Sequence, residues 1–280
     1  MAQVIGAVMT SHVPAIGSAI AKGRQEEPYW KPFFGAFGKA REWLARAKPD
    51  IVVVVYNDHG LQFFLDKMPT FAVGAADEYR NADEGWGLPT LPPYRGDAAF
   101  SWHLIESLVA DEFDVTSCQE VLVDHAFTVP LQLLWPGGGT CPVATVPVMV
   151  NTVQHPLPSP ARCLKFGRAL GRAIASWPEP ARVLVLGTGG LSHQLEGARA
   201  GFINRDFDQM CLAKIVESPE ALGEYSIPQL VELAGTQGTE LINWLVARAA
   251  LGGRVSRVHS NYHVPISNTA SGMMVLENRT

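Results

Sequence analysis

The feature that most constrains the fold is the run IVVVVY at residues 51–56, in which five aliphatic residues precede a tyrosine. A strand made of apolar residues alone must be covered on both faces, as strands are in α/β proteins. Similar runs predict strands at 3–9, 142–149, 183–187 and 272–276. Amphipathic segments predict helices at 31–47, 97–111, 160–177, 206–216 and 239–250, and loops are expected at 64–95 and 150–159. The pattern predicts an α/β fold with a central mixed β-sheet flanked by helices.

Length and charge limit the domain count and the partners. The chain has 280 residues, of which 47% are hydrophobic. A chain of this length can bury about three quarters of its unfolded surface in one core. With no repeat, low-complexity tract or linker, residues 1–280 are expected to form a single domain. The net charge of −5 offers no basic stripe for a phosphate backbone, so we do not expect nucleic acid as a partner.

The cysteines and the N-terminal sequence indicate where the chain works. The four cysteines are scattered and form no CxxC pair, which argues against a zinc or dithiol site. The first residues lack a basic region followed by an apolar stretch, and no run is long enough to span a membrane. We therefore expect a cytoplasmic protein with reduced, buried thiols and no membrane association.

Four of the eight histidines follow apolar runs within a few residues: His12, His59, His125 and His193. In an open α/β sheet, ligands bind at the carboxyl ends of the strands. One histidine at such a position is most often a buried side chain bonded to a carbonyl group, but four together favour a metal site with additional acid/base groups. Of the other four histidines, His103, His155 and His259 are interpreted as structural, and the role of His263 is left open.

A metal site of this kind usually includes a carboxylate. Asp58 and Asp124 each directly precede a histidine and should point away from it, which favours a hydrogen bond to a ligand over direct ligation. Glu240 could simply stabilise a helix N-terminus, but its face continues through Trp244 and should be buried, where a carboxylate needs a cation. Two histidines and one carboxylate are typical of non-haem Fe(II) oxygenases, although spacing alone does not choose iron over zinc.

Seven segments of the chain resemble, in order and spacing, the class III extradiol dioxygenases, in particular catalytic subunits of the protocatechuate 4,5-dioxygenase type. The segments are TSHVPAIG (10–17), YNDHG (56–60), ADEGWG (82–87), VDHAFTVPL (123–131), GTGGLSHQLEG (187–197), GTELINWL (238–245) and YHVPISNTA (262–270). The resemblance extends over nearly the whole chain. The combination of the seven segments is highly specific for this family, but it indicates the substrate much less specifically.

The resemblance implies roles for five residues around a bound Fe(II). His12, His59 and Glu240 are similar to the iron ligands of the family. His193 is similar to its acid/base histidine, and His125 to a second active-site histidine that hydrogen-bonds the substrate. The implied activity is Fe(II)-dependent ring cleavage of a catecholic aromatic acid such as protocatechuate or gallate, in which both atoms of O2 enter an open-chain semialdehyde or keto acid.

The resemblance also bears on the substrate and the partners. Ser267 and Asn268 are similar to the group that receives the aromatic carboxylate. Glu196 and Ala198 depart from the family pattern, which has a neutral amide and a proline there, so the preferred aromatic acid stays open. Because relatives carry a small helical partner over the active-site mouth, we expect such a subunit or a second copy of the chain.

Two other functions fit some of the same residues. A zinc hydrolase or lyase could use the same three ligands to generate hydroxide, and it would need no dioxygen. A non-enzymatic binding protein on the same scaffold would not need five site residues and a carboxylate-binding pair. A serine hydrolase is disfavoured because the sequence contains no GxSxG.

Overall fold

The computed structural model describes residues 1–85, 87–137 and 140–279. Its strands are β1 (Gln3–Thr10), β2 (Ile51–Tyr56), β3 (Phe71–Gly74), β4 (Glu78–Asn81), β5 (Tyr94–Arg95), β6 (Thr116–Cys118), β7 (Leu122–Val123), β8 (Ala144–Val150), β9 (Arg182–Thr188), β10 (Val255–Ile266) and β11 (Thr269–Asn278). Its helices are α1 (Pro14–Ala21), α2 (Lys31–Gly35), α3 (Phe37–Ala47), α4 (Ala98–Ala110), α5 (His125–Leu134), α6 (Pro160–Ser176), α7 (Arg205–Glu217), α8 (Ile227–Ala234) and α9 (Leu241–Ala250). Short 3₁₀ turns lie at Gly197–Arg199, Pro219–Glu224 and Gln237–Glu240.

Eight of the strands form one mixed sheet, in the order β10-β11-β1-β9-β2-β8-β3-β6. The central strands β1, β9, β2 and β8 are parallel, whereas β11 pairs with β1 and β3 pairs with β8 in antiparallel fashion. A second, three-stranded sheet has the order β5-β4-β7. The predicted α/β architecture with a mixed sheet flanked by helices is confirmed.

Alternate residues of β2 enter two separate hydrophobic cores. Val53 and Val55 pack in the core that includes α4, α6 and α9. Val52 and Val54 pack in the core that includes helices α1 to α3 and α5. Successive side chains of a strand point to opposite faces, so a strand covered by helices on both sides is apolar throughout. This double coverage explains the run that first indicated the fold.

The bounds of the predicted helices and strands agree with the structure to within a few residues, except in one helix, one strand and one loop. The predicted helix 31–47 is two helices separated at Ala36, next to Gly35, a residue with low helix propensity. The final predicted strand, 272–276, is the central part of a ten-residue strand. The predicted loop 64–95 is wrong in part, because it contains β3, β4 and β5, whereas the loop at 150–159 begins as expected once β8 ends at Val150.

The origin of His125 also differs from expectation. The run before it forms only the two-residue strand β7, which pairs with β4 in the small sheet. His125 is instead the first residue of α5, whose side chains are apolar nearly all round and which contains Pro130. This histidine therefore reaches the others from a helix and not from the edge of the main sheet.

The structure describes all four cysteine side chains. All four cysteines are free; Cys118, Cys163 and Cys211 are buried and Cys141 is half-buried. Burial raises the pKa of the Cys118 thiol to about 11, so this thiol is unreactive at neutral pH.

In the part of the chain that the structure describes, no helix combines the length and the apolar character needed to cross a membrane.

Candidate metal centre and active-site cavity

Three parallel strands end at the same edge of the main sheet and bring their following residues together. His12 lies two residues beyond β1, His59 three residues beyond β2, and His193 follows a turn after β9. Neighbouring parallel strands point their carboxyl ends to one edge, so side chains that are distant in sequence meet there. Glu240 joins them from the start of α9, which packs across this end of the sheet.

Two imidazoles and one carboxylate converge at this edge. Nε2 of His12 lies 3.3 Å from Oε1 of Glu240, and Nε2 of His59 lies 3.7 Å from the same oxygen. Donors at metal-ligand distances of about 2.1 Å and at right angles are about 3 Å apart, so these spacings suit one ion with small adjustments. The chemistry of the donors, two nitrogens and an oxygen, fits a divalent transition metal.

The Glu240 carboxylate is ionised although it is 5% exposed. Burial by itself would raise its pKa, but the neighbouring His12 and its hydrogen bond hold the pKa well below the usual value. Oε2 accepts a hydrogen bond from the backbone N–H of Gly190 at 2.6 Å, and Oε1 accepts one from Nδ2 of Asn57 at 3.3 Å. Asn243, one turn further along α9, donates to Oδ1 of Asn57 at 2.9 Å and so fixes that amide.

Each of the two histidines is oriented through its other ring nitrogen. Nδ1 of His12 lies 3.1 Å from Oγ1 of Thr188, and Nδ1–H of His59 donates to Oδ2 of Asp124 at 2.8 Å. Such contacts turn Nε2 toward the site. Burial would raise the pKa of Asp124, but the charge and hydrogen bond of His59 outweigh it and lower the pKa to about 2. Asp124 thus orients a histidine, as expected, although that histidine is His59 and not the adjacent one.

His125 lies beside this group and has its own carboxylate. Its backbone N–H and its Nδ1–H donate to the two oxygens of Glu84 at 2.6 and 2.5 Å. Its ring is 4.2 Å from that of His59 and 5.4 Å from that of His12, so the three histidines also form a possible donor set. Sequence reasoning assigned no role to Glu84, although it lies in one of the seven resembling segments.

The GTGG turn after β9 is shaped by what packs against it. Gly189 has a φ of 139°, a conformation that L side chains rarely adopt, and a Cβ atom at Gly190 would overlap the ring of His193. His193 donates from Nδ1 to the carbonyl oxygen of Leu191 at 2.9 Å. Its Nε2 lies 4.0 Å from Oε2 of Glu240. Since a carbonyl can only accept, Nδ1 carries a proton, and Nε2 faces the site.

The site forms the floor of a cavity of about 890 Å³. His12, His59, His125, His193 and Glu240 all line it. His155 lines it too, although the sequence interpretation made it structural, whereas His103 and His259 donate to backbone carbonyls elsewhere. The sequence around His155, a histidine before a proline in a loop, does not indicate that its side chain lines the cavity.

The predicted carboxylate-binding pair forms the two-residue turn between β10 and β11. Ser267 has a φ of 48° and Asn268 a φ of 62°, as in the tight turns that join antiparallel strands. Among the described residues, Ser267 lines the cavity and Asn268 does not; the Asn268 side chain lies beside Gly201. The structure thus brings one member of the pair to the cavity wall.

Residues 6–272 match the family described as the catalytic LigB subunit of aromatic ring-opening dioxygenase. The chain belongs to the LigB family. The family resemblance drawn from the seven segments is therefore confirmed. LigB dioxygenases are metal-dependent, and the histidine and carboxylate cluster of this member could hold a metal ion.

Two curated relatives show how this LigB chain compares along its length. It is 42% identical over 198 residues to gallate dioxygenase of Pseudomonas putida, covering 71% of this chain and 58% of that protein. It is 34% identical over 187 residues to 2,3-dihydroxyphenylpropionate/2,3-dihydroxicinnamic acid 1,2-dioxygenase of Photorhabdus laumondii, covering 66% and 55%. The matches therefore span little more than half the length of these relatives.

A solved structure shares the fold of this LigB chain. It is that of an uncharacterised protein of Escherichia coli K12, with a TM-score of 0.60 and 13% sequence identity, and the match covers 98% of this chain and 100% of the other. At this identity the similarity concerns the fold alone.

Proposed function

We propose that the chain is the catalytic part of an Fe(II)-dependent extradiol dioxygenase. Its substrate is a catecholic aromatic acid such as protocatechuate or gallate, and both atoms of O2 enter an open-chain semialdehyde or keto acid. The observation that carries this proposal is the convergence of two oriented imidazoles and one buried carboxylate at the floor of a cavity, next to a histidine whose Nε2 faces the same space. Membership of the LigB family supports the reaction type.

His12, His59 and Glu240 would hold the iron. Glu240 is preferred to His125 as the third ligand because its Oε1 is close to the Nε2 atoms of both His12 and His59. Two histidines and a carboxylate are the donor set of non-haem Fe(II) oxygenases. When bound, the metal would supply a template for the catechol oxygens and dioxygen and a path for charge between them.

His193 would move the protons. Its Nε2 faces the cavity and can accept the phenolic proton of the substrate, and the same nitrogen can return a proton later in the reaction. A single imidazole suits both tasks because its ordinary pKa is near neutrality. His125, fixed by Glu84, would hydrogen-bond the substrate from the neighbouring wall.

Ser267 and Asn268 would receive the aromatic carboxylate at the other end of the ring. Hydroxyl and amide donors form charge-assisted hydrogen bonds of about 1.5–3 kcal/mol with a carboxylate. Ser267 is the member on the cavity wall. The relative named gallate dioxygenase supports an aromatic acid as the substrate class.

A small helical subunit or a second copy of the chain would cover the cavity mouth. Val153 and Leu195 line the cavity and are 44% and 54% exposed, so each has apolar surface that a partner could bury. Sedimentation of the purified chain, alone and with candidate small subunits, tests this part. A monomer with full activity would contradict it.

The deciding experiment is oxygen uptake by the Fe(II)-loaded chain with a panel of catechols. We expect one O2 consumed per catechol, with protocatechuate, gallate and catechol compared at equal concentration. The same chain loaded with Zn(II) serves as the control. Turnover with zinc under anaerobic conditions would instead support a hydrolase or lyase.

A further inference from the structure

The turn that presents His193 is held by hydrogen bonds along its whole length. The four consecutive N–H groups of residues 190–193 each donate to an acceptor on a different segment. The acceptors are Oε2 of Glu240 for Gly190, the carbonyl of Ala270 for Leu191, Oδ1 of Asp208 for Ser192, and the carbonyl of Ala234 for His193. Two of these acceptors are side chains, and Asp208 is the one outside the proposed metal site.

Asp208 is a buried carboxylate that the proposed reaction does not use. It lies on α7, is 2% exposed, and accepts three hydrogen bonds. The N–H and the hydroxyl of Ser192 donate to its two oxygens at 2.8 and 2.7 Å, and the hydroxyl of Tyr262, on β10, donates at 2.7 Å. Burial raises the pKa of Asp208, and the bonds from Ser192 and Tyr262 oppose that rise. Since all three hydrogen bonds come from N–H or O–H donors of Ser192 and Tyr262, the carboxylate acts as an acceptor only.

Peptide geometry connects this carboxylate to His193. The N–H of Ser192 and the C=O of Leu191 belong to one planar trans peptide group and point in opposite directions. Asp208 binds that N–H, and the C=O on the other side accepts the Nδ1–H of His193 at 2.9 Å. An anchor on one side of the peptide therefore fixes the acceptor on the other.

We propose that Asp208 is the positioning residue of His193. Acting through the peptide between Leu191 and Ser192, it fixes the orientation of the imidazole and the tautomer with the proton on Nδ1. Tyr262 supports it by restraining the carboxylate. The kinetic consequence rests on the proposed function, because it requires His193 to act in turnover; the tautomer does not depend on that function.

The test is the variant Asp208→Asn, which keeps the shape of the side chain. Its amide nitrogen would replace an oxygen that accepts from two hydroxyls, so the anchor is weakened. We expect kcat in oxygen uptake to fall roughly 10- to 100-fold, the range for partners that orient site residues, while KM and iron content change by less than about twofold. Unchanged kcat, or loss of iron together with kcat, would overturn the proposal.

Two further variants separate positioning from general destabilisation. Tyr262→Phe removes one of the three bonds and should give a smaller loss in kcat; combined with Asp208→Asn it should add little, because both act through one carboxylate. Asp97→Ala removes the N-cap of α4, whose side chain accepts from the N–H of Phe100; α4 provides none of the acceptors of the turn, so this variant should lower the melting temperature by about 2–4 °C with kcat unchanged. An equal loss of kcat in the capping variant would contradict the proposal.

A spectroscopic measurement tests the same point without activity. Long-range ¹H–¹⁵N correlation spectra distinguish the two neutral imidazole tautomers, and the His193→Ala variant assigns the resonance. We expect Nδ1–H in the parent chain and a mixture in Asp208→Asn. A single unchanged tautomer in the variant would overturn the proposal. If the parent chain consumes no O2, the proposed function fails while this measurement still decides the role of Asp208.

Discussion

The floor and the rim of the cavity differ in how their side chains are held. The floor is His12, His59, His125, His193 and Glu240; the rim is Val153, His155, Leu195, Glu196 and Ser267. Four of the five floor residues are buried, and each of the five bonds to a partner from another segment or from its own turn, whereas the rim residues are exposed and lie in loops and turns. Burial between helices and sheet fixes the floor, so we expect the proposed chemistry there. We expect the rim to select the substrate and the partner.

The sequence itself supports this division. Of the two departures from the family pattern, Glu196 lies at the rim and Ala198 lies two residues further along the chain; both are exposed. Changes at the rim alter the charge and shape that a substrate meets on entry without disturbing the buried donors. Substitutions on the floor and on the rim should therefore have different signatures.

The largest effect is expected for Glu240→Ala on the floor. Its carboxylate is the donor nearest to both His12 and His59, so we expect metal affinity to fall roughly 100-fold or more and activity to be lost with it. Elemental analysis after dialysis measures the metal. Glu232→Ala, which changes an exposed carboxylate on α8, is the control and should retain both. Full metal content in Glu240→Ala would remove Glu240 from the ligand set.

The next effect is expected for His193→Ala. Turnover should fall roughly 10²- to 10⁴-fold, as when a general acid/base is lost, while metal and substrate binding remain. Single-turnover rates and metal content measure the two separately. His103→Ala, in which the lost ring bonds to Ala173 and Ser176 on α6, is the matched control. If iron disappears together with activity in His193→Ala, this histidine is a ligand.

A moderate and substrate-dependent effect is expected at the rim for Ser267→Gly. Glycine keeps the positive φ of the turn and removes only the hydroxyl. We expect kcat/KM to fall roughly ten- to a hundredfold for protocatechuate, as for one lost charge-assisted bond, and far less for catechol, which has no carboxylate. Asn268→Gly, changed in the same way, tests the second member of the pair. Equal losses for both substrates would assign the residues to the turn alone.

The smallest effect is expected for Glu196→Gln. Its exposed carboxylate lines the cavity mouth and should repel an anionic substrate, so neutralising it should lower KM for protocatechuate by about two- to fivefold, the range of exposed charge interactions. The difference should vanish in 1 M salt, where the screening length is about 3 Å. An effect that persists at high salt would indicate a direct contact with the substrate.

The central strands could be predicted from sequence because coverage on both faces leaves a continuous apolar run, as in β2. The polar edge strand β10 could not, because its exposed side gives no such pattern. Helix α5 was missed since it is apolar nearly all round and contains Pro130, which removes the helical period. Elements were thus predictable where burial imposes a simple pattern.

The same distinction applies to the site. That His12, His59 and His193 meet at one edge of the sheet could be predicted because each follows a strand, a position that can be located along the chain. Glu84 and Asn57 were missed, because their partners lie 41 and 183 residues away and only tertiary packing brings them together. Distant partners such as these need a structure, whereas the orienting role of Asp124 could be expected from its place beside a histidine.

The place of β1 in the sheet has a consequence for biosynthesis. This strand leaves the ribosome before β9 and β11, yet it lies between them in the sheet. His12 and Glu240 are 228 residues apart in sequence and meet only after that pairing. Contacts over such separations form late in folding. A partly synthesised chain therefore lacks the proposed donor set, and we expect metal to bind only to a chain whose sheet is complete.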